Sequence, residues 1–180
     1  MFCKTVDAIE MNYWNLSPYI VTVPRIANAL ARINRYAGHW VQPISVARHC
    51  LSLVDTLKKQ HCPAGVQLQG LFHDAAEAYT QDIPAPLKDR LHVFDERTNE
   101  MTTYRGFEWR LLERIYCQLH IPWPIPLEVW AADDGVYEKE LPIIRGHVRS
   151  PYGNDPETVG FVFINRAEIL MHECGVPYVS

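Results

Sequence analysis

Apolar side chains recur along this chain at helical rather than strand spacing. After Pro24, Ile26, Ala29, Leu30 and Ile33 fall three and four residues apart, the interval that aligns one face of a helix with ~3.6 residues per turn. The proline suits a first helical position, where its missing N–H has no intrahelical use. A first helix is therefore predicted over 24–38, closed by Gly38. Val46, Cys50, Leu53, Val54 and Leu57 mark a second over 44–60, with Lys58 and Lys59 at its negative dipole end. A third opens after Pro63 and runs through AGVQLQGLFHDAAEAY, residues 64–79. It is apolar on most sides and so predicted to cross the core.

Pro84 and Pro86 break the next stretch, DIPAPLKDR, into a turn followed by at most a short helix. The longest predicted helix runs from about Asp95 to His120, with Trp109, Leu112, Ile115, Tyr116 and Leu119 along one side, and IPWPIP ends it. A fifth covers 127–141 and a last one 157–174, before Gly175. The opening residues and GHVRSPYGNDP read as irregular or short-strand segments. No repeat or low-complexity linker divides the chain, so residues 1–180 are expected to form one all-α domain, a bundle of about six helices.

Composition narrows the functional classes. With 48% hydrophobic and 21% charged residues the chain is of soluble globular type. A formal charge of −4 disfavours a nucleic-acid polymer, which needs a basic face, and points to a small-molecule partner. The five cysteines (Cys3, Cys50, Cys62, Cys117 and Cys174) show no CxxC spacing and read as free thiols in a reducing cytoplasm. No stretch has the form of a signal peptide or approaches the ~18 apolar residues of a membrane span.

Against that apolar background, the segment LFHDAAEAYTQD, 71–82, is anomalous. An unpartnered charge inside an apolar helix costs several kcal/mol or is neutralised, yet His73, Asp74 and Glu77 crowd into five residues. In a continuous helix Glu77 would sit one turn beyond His73 on a shared face, and a cation beside the helix could touch both His73 and Asp74. Further ligands would come from other apolar segments: His49 in SVARHCLSL, and Asp133 or Asp134 in VWAADDGV. Two imidazoles with two carboxylates and no thiolate suit one divalent transition metal such as manganese, cobalt, zinc, iron or nickel.

The order His49, then FHDAAEAYTQDIPAPLK, then the AAD ending at Asp133, with ARINRYAGHW ahead of SVARHC, resembles the HD-domain metal-dependent phosphohydrolases over roughly 24–140. The closer likeness is to the small branch containing bacterial 5′-deoxynucleotidases and phage dATP triphosphohydrolases. The resemblance implies an HD-domain helical bundle, commonly self-associating. It makes His49, His73, Asp74 and Asp133 metal ligands, Glu77 the group that handles the attacking water, and Asp82 a support for the nucleotide or that water. Arg35 and Tyr36 would line the phosphate and base or sugar pocket, and Lys88 would contact phosphate. The chain departs from the family pattern at Arg48, often Glu, and at Tyr36, commonly Trp. The implied reaction is metal-dependent hydrolysis of a deoxynucleoside 5′-monophosphate, with triphosphate release from dATP or another dNTP as the alternative, favoured if Arg48, Arg90 or Arg97 faced the pocket. A non-catalytic nucleotide-sensing domain is the alternative of another class.

Overall fold

The computed structural model describes residues 2–4, 10–39, 41–147, 153 and 155–180. In chain order the elements are a hairpin of β1 (Phe2–Lys4) and β2 (Glu10–Asn12), then α1 (Val23–Arg32), α2 (Val46–Lys59), α3 (Ala64–Phe72), α4 (Glu77–Thr80) and α5 (Ala85–Lys88). A second hairpin of β3 (His92–Asp95) and β4 (Glu100–Thr103) precedes α6 (Tyr104–Gln118), α7 (Leu127–Ile144) and α8 (Pro156–Cys174). The architecture is an all-α bundle with two small two-stranded antiparallel sheets.

Side-chain caps fix the starts of α1, α2, α6 and α8. The Thr22 hydroxyl accepts from the Arg25 N–H (3.5 Å), Ser45 from Arg48 (3.3 Å), Thr103 from Gly106 (3.1 Å) and Asp155 from Thr158 (2.8 Å). Each satisfies an amide that the first turn leaves without a partner. At the far end of α8, Gly175 takes a left-handed φ of 66° that closes the helix.

Three predicted helices are cut short, each for an identifiable reason. The first stops at Arg32 because Asn34 forms an antiparallel bridge with Ser45, the Arg35 N–H donates to Ile44 O (2.8 Å) and the Val46 N–H to Ile33 O (2.9 Å). Long-range backbone pairing there outcompetes helix propagation, and Arg35–Gly38 becomes a tight turn. The third predicted helix breaks after Phe72. The fourth begins at Tyr104 rather than near Asp95, since residues 92–103 form β3 and β4. Their turn is held by Asp95, whose carboxylate accepts from the Arg97 N–H (3.0 Å) and guanidinium (2.8 Å), while Asn99 takes a left-handed φ of 58°. In GHVRSPYGNDP, residues 148–152 and 154 lie outside those described.

α2 is the central rod. Val46, Ala47, Cys50, Leu51, Leu53, Val54 and Leu57 are all buried, and α1, α3, α7 and α8 pack around it. Phe72 of α3 meets Phe163 of α8 edge-on at 5.4 Å, and the buried apolar residues join into a single cluster. Among the described residues no helix is long and apolar enough to cross a membrane.

The α2–α3 crossing depends on one small residue. A Cβ on Gly70 would lie 2.5 Å from Leu57 Cδ1, whose side chain is fully buried and has little room to turn. Gly70→Val is therefore expected to lower the unfolding free energy by about 1–3 kcal/mol. Urea unfolding would show this as a lower midpoint at constant slope, and an unchanged midpoint would mean that Leu57 can move aside.

Candidate metal centre and its cavity

Three separate pieces of chain meet at one point. α2 supplies His49, the turn after α3 supplies His73 and Asp74, and α7 supplies Asp133. The turn owes its shape to His73 itself: its ring Nδ1 lies 2.8 Å from Gly70 O, the carbonyl that the amide of residue 74 would use in a continuing α-helix. Tighter bonds follow, from the amides of Ala75 to Phe72 O (2.9 Å), Glu77 to Asp74 O (2.9 Å) and Tyr79 to Ala76 O (3.0 Å). These are three-residue closures of 3₁₀ type. The shared α-helical face expected for His73 and Glu77 is thus replaced by a tight turn ahead of α4.

The hydrogen bonds at the back of each imidazole decide what its front can do. A carbonyl oxygen only accepts, so His73 Nδ1 must carry the proton it donates to Gly70. His49 Nδ1 likewise donates to the carboxylate of Glu140, at 2.9 Å from Oε1. Both neutral rings then present bare Nε2 lone pairs, and these face one another at 3.3 Å. Asp133 Oδ1 lies 2.9 Å from His49 Nε2 and 3.8 Å from His73 Nε2, and Asp74 Oδ2 lies 3.2 Å from His73 Nε2. Ligand atoms of His49, His73 and Asp74 all fall within 4.8 Å of one another.

So many buried lone pairs in one small volume repel unless something positive sits among them. One response is a proton: burial opposes charging His73, but Asp74 outweighs it and holds the imidazole well above its ordinary value. The other is a metal ion, for which two imidazole nitrogens fixed in tautomer by buried acceptors make a fitting donor set. Burial likewise opposes ionising Asp74, but His73, His49 and Arg35 overcome it and keep the carboxyl far below the usual range. Asp133 is half-buried at the cluster, whereas Asp134 is exposed.

Glu140 escaped the sequence reading. It is almost fully buried, and its two oxygens serve different neighbours: Oε1 accepts from His49, and Oε2 from the Tyr36 hydroxyl at 3.0 Å, with Arg35 Nε 3.5 Å away. Spacing could have found it. Trp130, Asp133, Tyr137 and Glu140 lie three, four and three residues apart, one stripe of α7. Val129, Ala132 and Val136 form the adjacent buried stripe.

Arg35 and Tyr36 sit on a loop with an unusual backbone: Tyr36, Ala37 and Gly38 have φ of 58°, 53° and 73°, left-handed in all three. The first two lack glycine's freedom and store strain. Asp82 holds them, its Oδ2 accepting the Tyr36 N–H at 3.1 Å. Burial pushes the Tyr36 hydroxyl up to about 12. Lys88 is committed between two carboxylates, 3.0 Å from Glu77 and 2.8 Å from Glu108. Burial, then Asp74, raise Glu77 well above its ordinary value against the pull of Lys88. Its Oε2 is buried and, among the described residues, makes no hydrogen bond.

A cavity of about 740 Å³ opens over these groups, lined by Arg35, Tyr36, His73, Asp74, Glu77, Asp82, Lys88 and Asp133, and also by Arg105, Glu108, Trp109 and Trp130. Arg48, Arg90 and Arg97 are not among its lining residues. Arg48 instead donates to Pro43 O (2.9 Å), and Arg97 lies over the buried Trp14 ring at 4.9 Å. Trp40 lies outside the described residues.

No family model matches the chain. Over 87 residues it is 39% identical to the uncharacterized protein YfdR of Escherichia coli strain K12, a match covering 48% of this chain and 46% of that protein. The chain thus spans about half the length of the curated relative it matches, and the relative's name carries no activity.

Removing the acceptor behind His49 frees its tautomer and ring orientation. Glu140→Ala is expected to weaken Mn²⁺, Co²⁺ or Zn²⁺ binding by about 10- to 100-fold, with a smaller loss in Glu140→Gln, which keeps an acceptor oxygen. Competition titration with a chromophoric chelator measures this, and equal affinities in all three proteins would show that Glu140 does not orient His49.

Proposed function

We propose that this protein is an HD-domain metal-dependent phosphohydrolase that releases phosphate from deoxynucleoside 5′-monophosphates. One observation carries the reading: bare nitrogens of His49 and His73 and oxygens of Asp74 and Asp133 converge, and His73, Asp74 and Asp133 line a cavity together with Glu77 and Arg35. The family resemblance of these residues supplies the reaction class. Cys50, Cys62, Cys117 and Cys174 are free thiols, in keeping with a reducing cytoplasm.

His49, His73, Asp74 and Asp133 would hold one divalent ion, which supplies a Lewis acid for a phosphoryl oxygen and acidifies bound water. The remaining work falls to the chain's own groups. Arg35, tethered near Asp74 (3.6 Å) and Glu140, offers its guanidinium to the phosphate oxygens. Glu77 lines the cavity, and its Oε2, which makes no hydrogen bond among the described residues, can in the ionised carboxylate accept the proton of an attacking water. Water oxygen bonds to phosphorus, the P–O5′ bond breaks, and the proton taken by Glu77 passes to O5′ of the departing nucleoside. Lys88 holds Glu77 in place and balances its charge, while Asp82 fixes the loop that carries Arg35 and Tyr36.

The charge of the lining favours a monophosphate. With Asp74 and Asp133 neutralised by the divalent ion, Glu77, Asp82 and Glu108 balance Arg35, Lys88 and Arg105 in the lining, and Lys88 is already paired twice. A triphosphate tail would find no surplus of cations in this lining to balance its additional charge.

Two outcomes are expected on metal-stripped protein resupplied with Mn²⁺, Co²⁺ or Zn²⁺ and offered each deoxynucleoside mono- and triphosphate. Monophosphates should yield orthophosphate and nucleoside, and Glu77→Gln should lower kcat by about 10²- to 10⁴-fold with metal content retained. Chromatography showing intact triphosphate from dATP would move the substrate to the triphosphates, and no metal-dependent product from any nucleotide would retire the enzyme reading in favour of a binding domain.

A further inference from the structure

The cavity lining is of two unlike kinds. Besides the ligand cluster and the charged groups, the cavity is lined by the apolar Ile83, Pro84, Pro86, Leu112, Trp109 and Trp130. Trp130 stands with its ring centroid 6.3 Å from that of His73, and Trp109 follows 6.0 Å beyond, inclined at 34° to Trp130. Trp123 backs Trp109 at 4.6 Å and rests edge-on against buried Tyr116 at 5.4 Å. A row of indoles therefore leads away from the candidate metal centre along one wall.

This wall is braced in advance. Gln69, buried on α3, donates from Nε2 to Pro122 O (2.8 Å) and Pro124 O (2.9 Å) on either side of Trp123, and the Tyr116 hydroxyl donates to Gln69 O (2.6 Å). The backing of Trp109 is thereby set before any ligand arrives, which spares a ligand the entropy of ordering it. Trp109 nevertheless leaves 42% of its surface exposed, a large flat apolar area at the cavity. Tyr36, the aromatic that sequence suggested for the base or sugar, is otherwise engaged. Its hydroxyl is bonded to Glu140, Arg35 lies over its ring at 5.1 Å, and Tyr137 meets it edge-on at 6.1 Å.

We infer that Trp109 and Trp130 form the base-binding wall of the site, against which the planar heterocycle of a ligand lies while its anionic group faces Arg35 and the His–Asp cluster. The inference rests on the phosphohydrolase reading for the phosphate part alone. An apolar wall joined to a charged lining in about 740 Å³ has the size and character of a small-ligand site. It complements a molecule with one flat apolar part and one anionic part. Stacking on indole reads the area of the π-face rather than its hydrogen-bonding edge. Binding should therefore follow base size, purine above pyrimidine, with broad tolerance within each class.

The test separates the two parts of the site. Metal-free full-length protein is titrated with deoxyadenosine, deoxycytidine and 2-deoxyribose while tryptophan fluorescence is followed, and metal-loaded protein is assayed with dAMP, dCMP and 2-deoxyribose 5-phosphate. Both nucleosides should quench the fluorescence, deoxyadenosine at lower concentration, and the sugar should not. Trp109→Ala should weaken nucleoside binding by about 5- to 150-fold, the range set by stacking of one base, raising KM for dAMP more than it lowers kcat. Trp109→Phe, which keeps a ring, should recover most of that loss and controls for folding. Equal responses to nucleosides and sugar, or nucleoside affinities unaltered in Trp109→Ala, would overturn the inference. Trp109-dependent quenching in a protein that hydrolyses no nucleotide would keep the wall and discard the phosphohydrolase.

Discussion

Two imidazole protons govern the centre of this protein. Because His73 must give its Nδ1 proton to the carbonyl of Gly70 and His49 must give its own to Glu140, both rings turn unprotonated nitrogens into the same buried space. Lone pairs 3.3 Å apart, with carboxylate oxygens beside them, have no favourable arrangement without a positive charge between them. The packing of α2 against α3 and α7 brings these groups together, so the bundle's hydrophobic association supplies the energy that holds the repulsive cluster in register. Gly70 takes part twice: its lack of a side chain lets α3 approach Leu57, and its carbonyl fixes His73.

α7 organises the rest. One stripe of this helix supplies Trp130 to the apolar wall, Asp133 to the ligand cluster, Tyr137 to the ring of Tyr36 and Glu140 to the back of His49. The adjacent stripe, Val129, Ala132 and Val136, is packed in the core. A rigid helix thus sets the spacing between the apolar and charged parts of the cavity. On the facing side the setting is less regular: the left-handed loop at Tyr36 and Ala37 is held by Asp82, and Glu77 by Lys88.

Legibility of the sequence followed the range of the forces involved. α2, α7 and α8 were readable because periodicity and capping are local, and the His-Asp pair stood out because it interrupts an apolar run. The end of α1 was not readable, since Asn34 leaves the helix to pair with Ser45, eleven residues on. The β3–β4 hairpin was missed because its turn rests on Asp95 and Arg97, in a stretch whose charge looks like a solvated helix. The break after Phe72 arises from a side chain competing for its own helix's carbonyl, which propensity does not register. Glu140 stands in the run YEKEL, and nothing local distinguishes it from exposed Glu138 two positions earlier. Only its two-turn spacing from Asp133 marks it.

Glu140 also constrains how this chain can vary. One carboxylate serves two masters, with one oxygen on an imidazole of the His–Asp cluster and the other on the phenol of the left-handed loop. Phenylalanine at position 36 would leave a buried oxygen without its donor, and a shorter side chain at position 140 would strand both the phenol and the imidazole. Substitutions at positions 36, 49 and 140 are therefore not independent. In a lineage carrying this arrangement they would drift as a linked set, so that the carboxylate behind a buried imidazole leaves its trace in an aromatic residue 104 positions away in the chain.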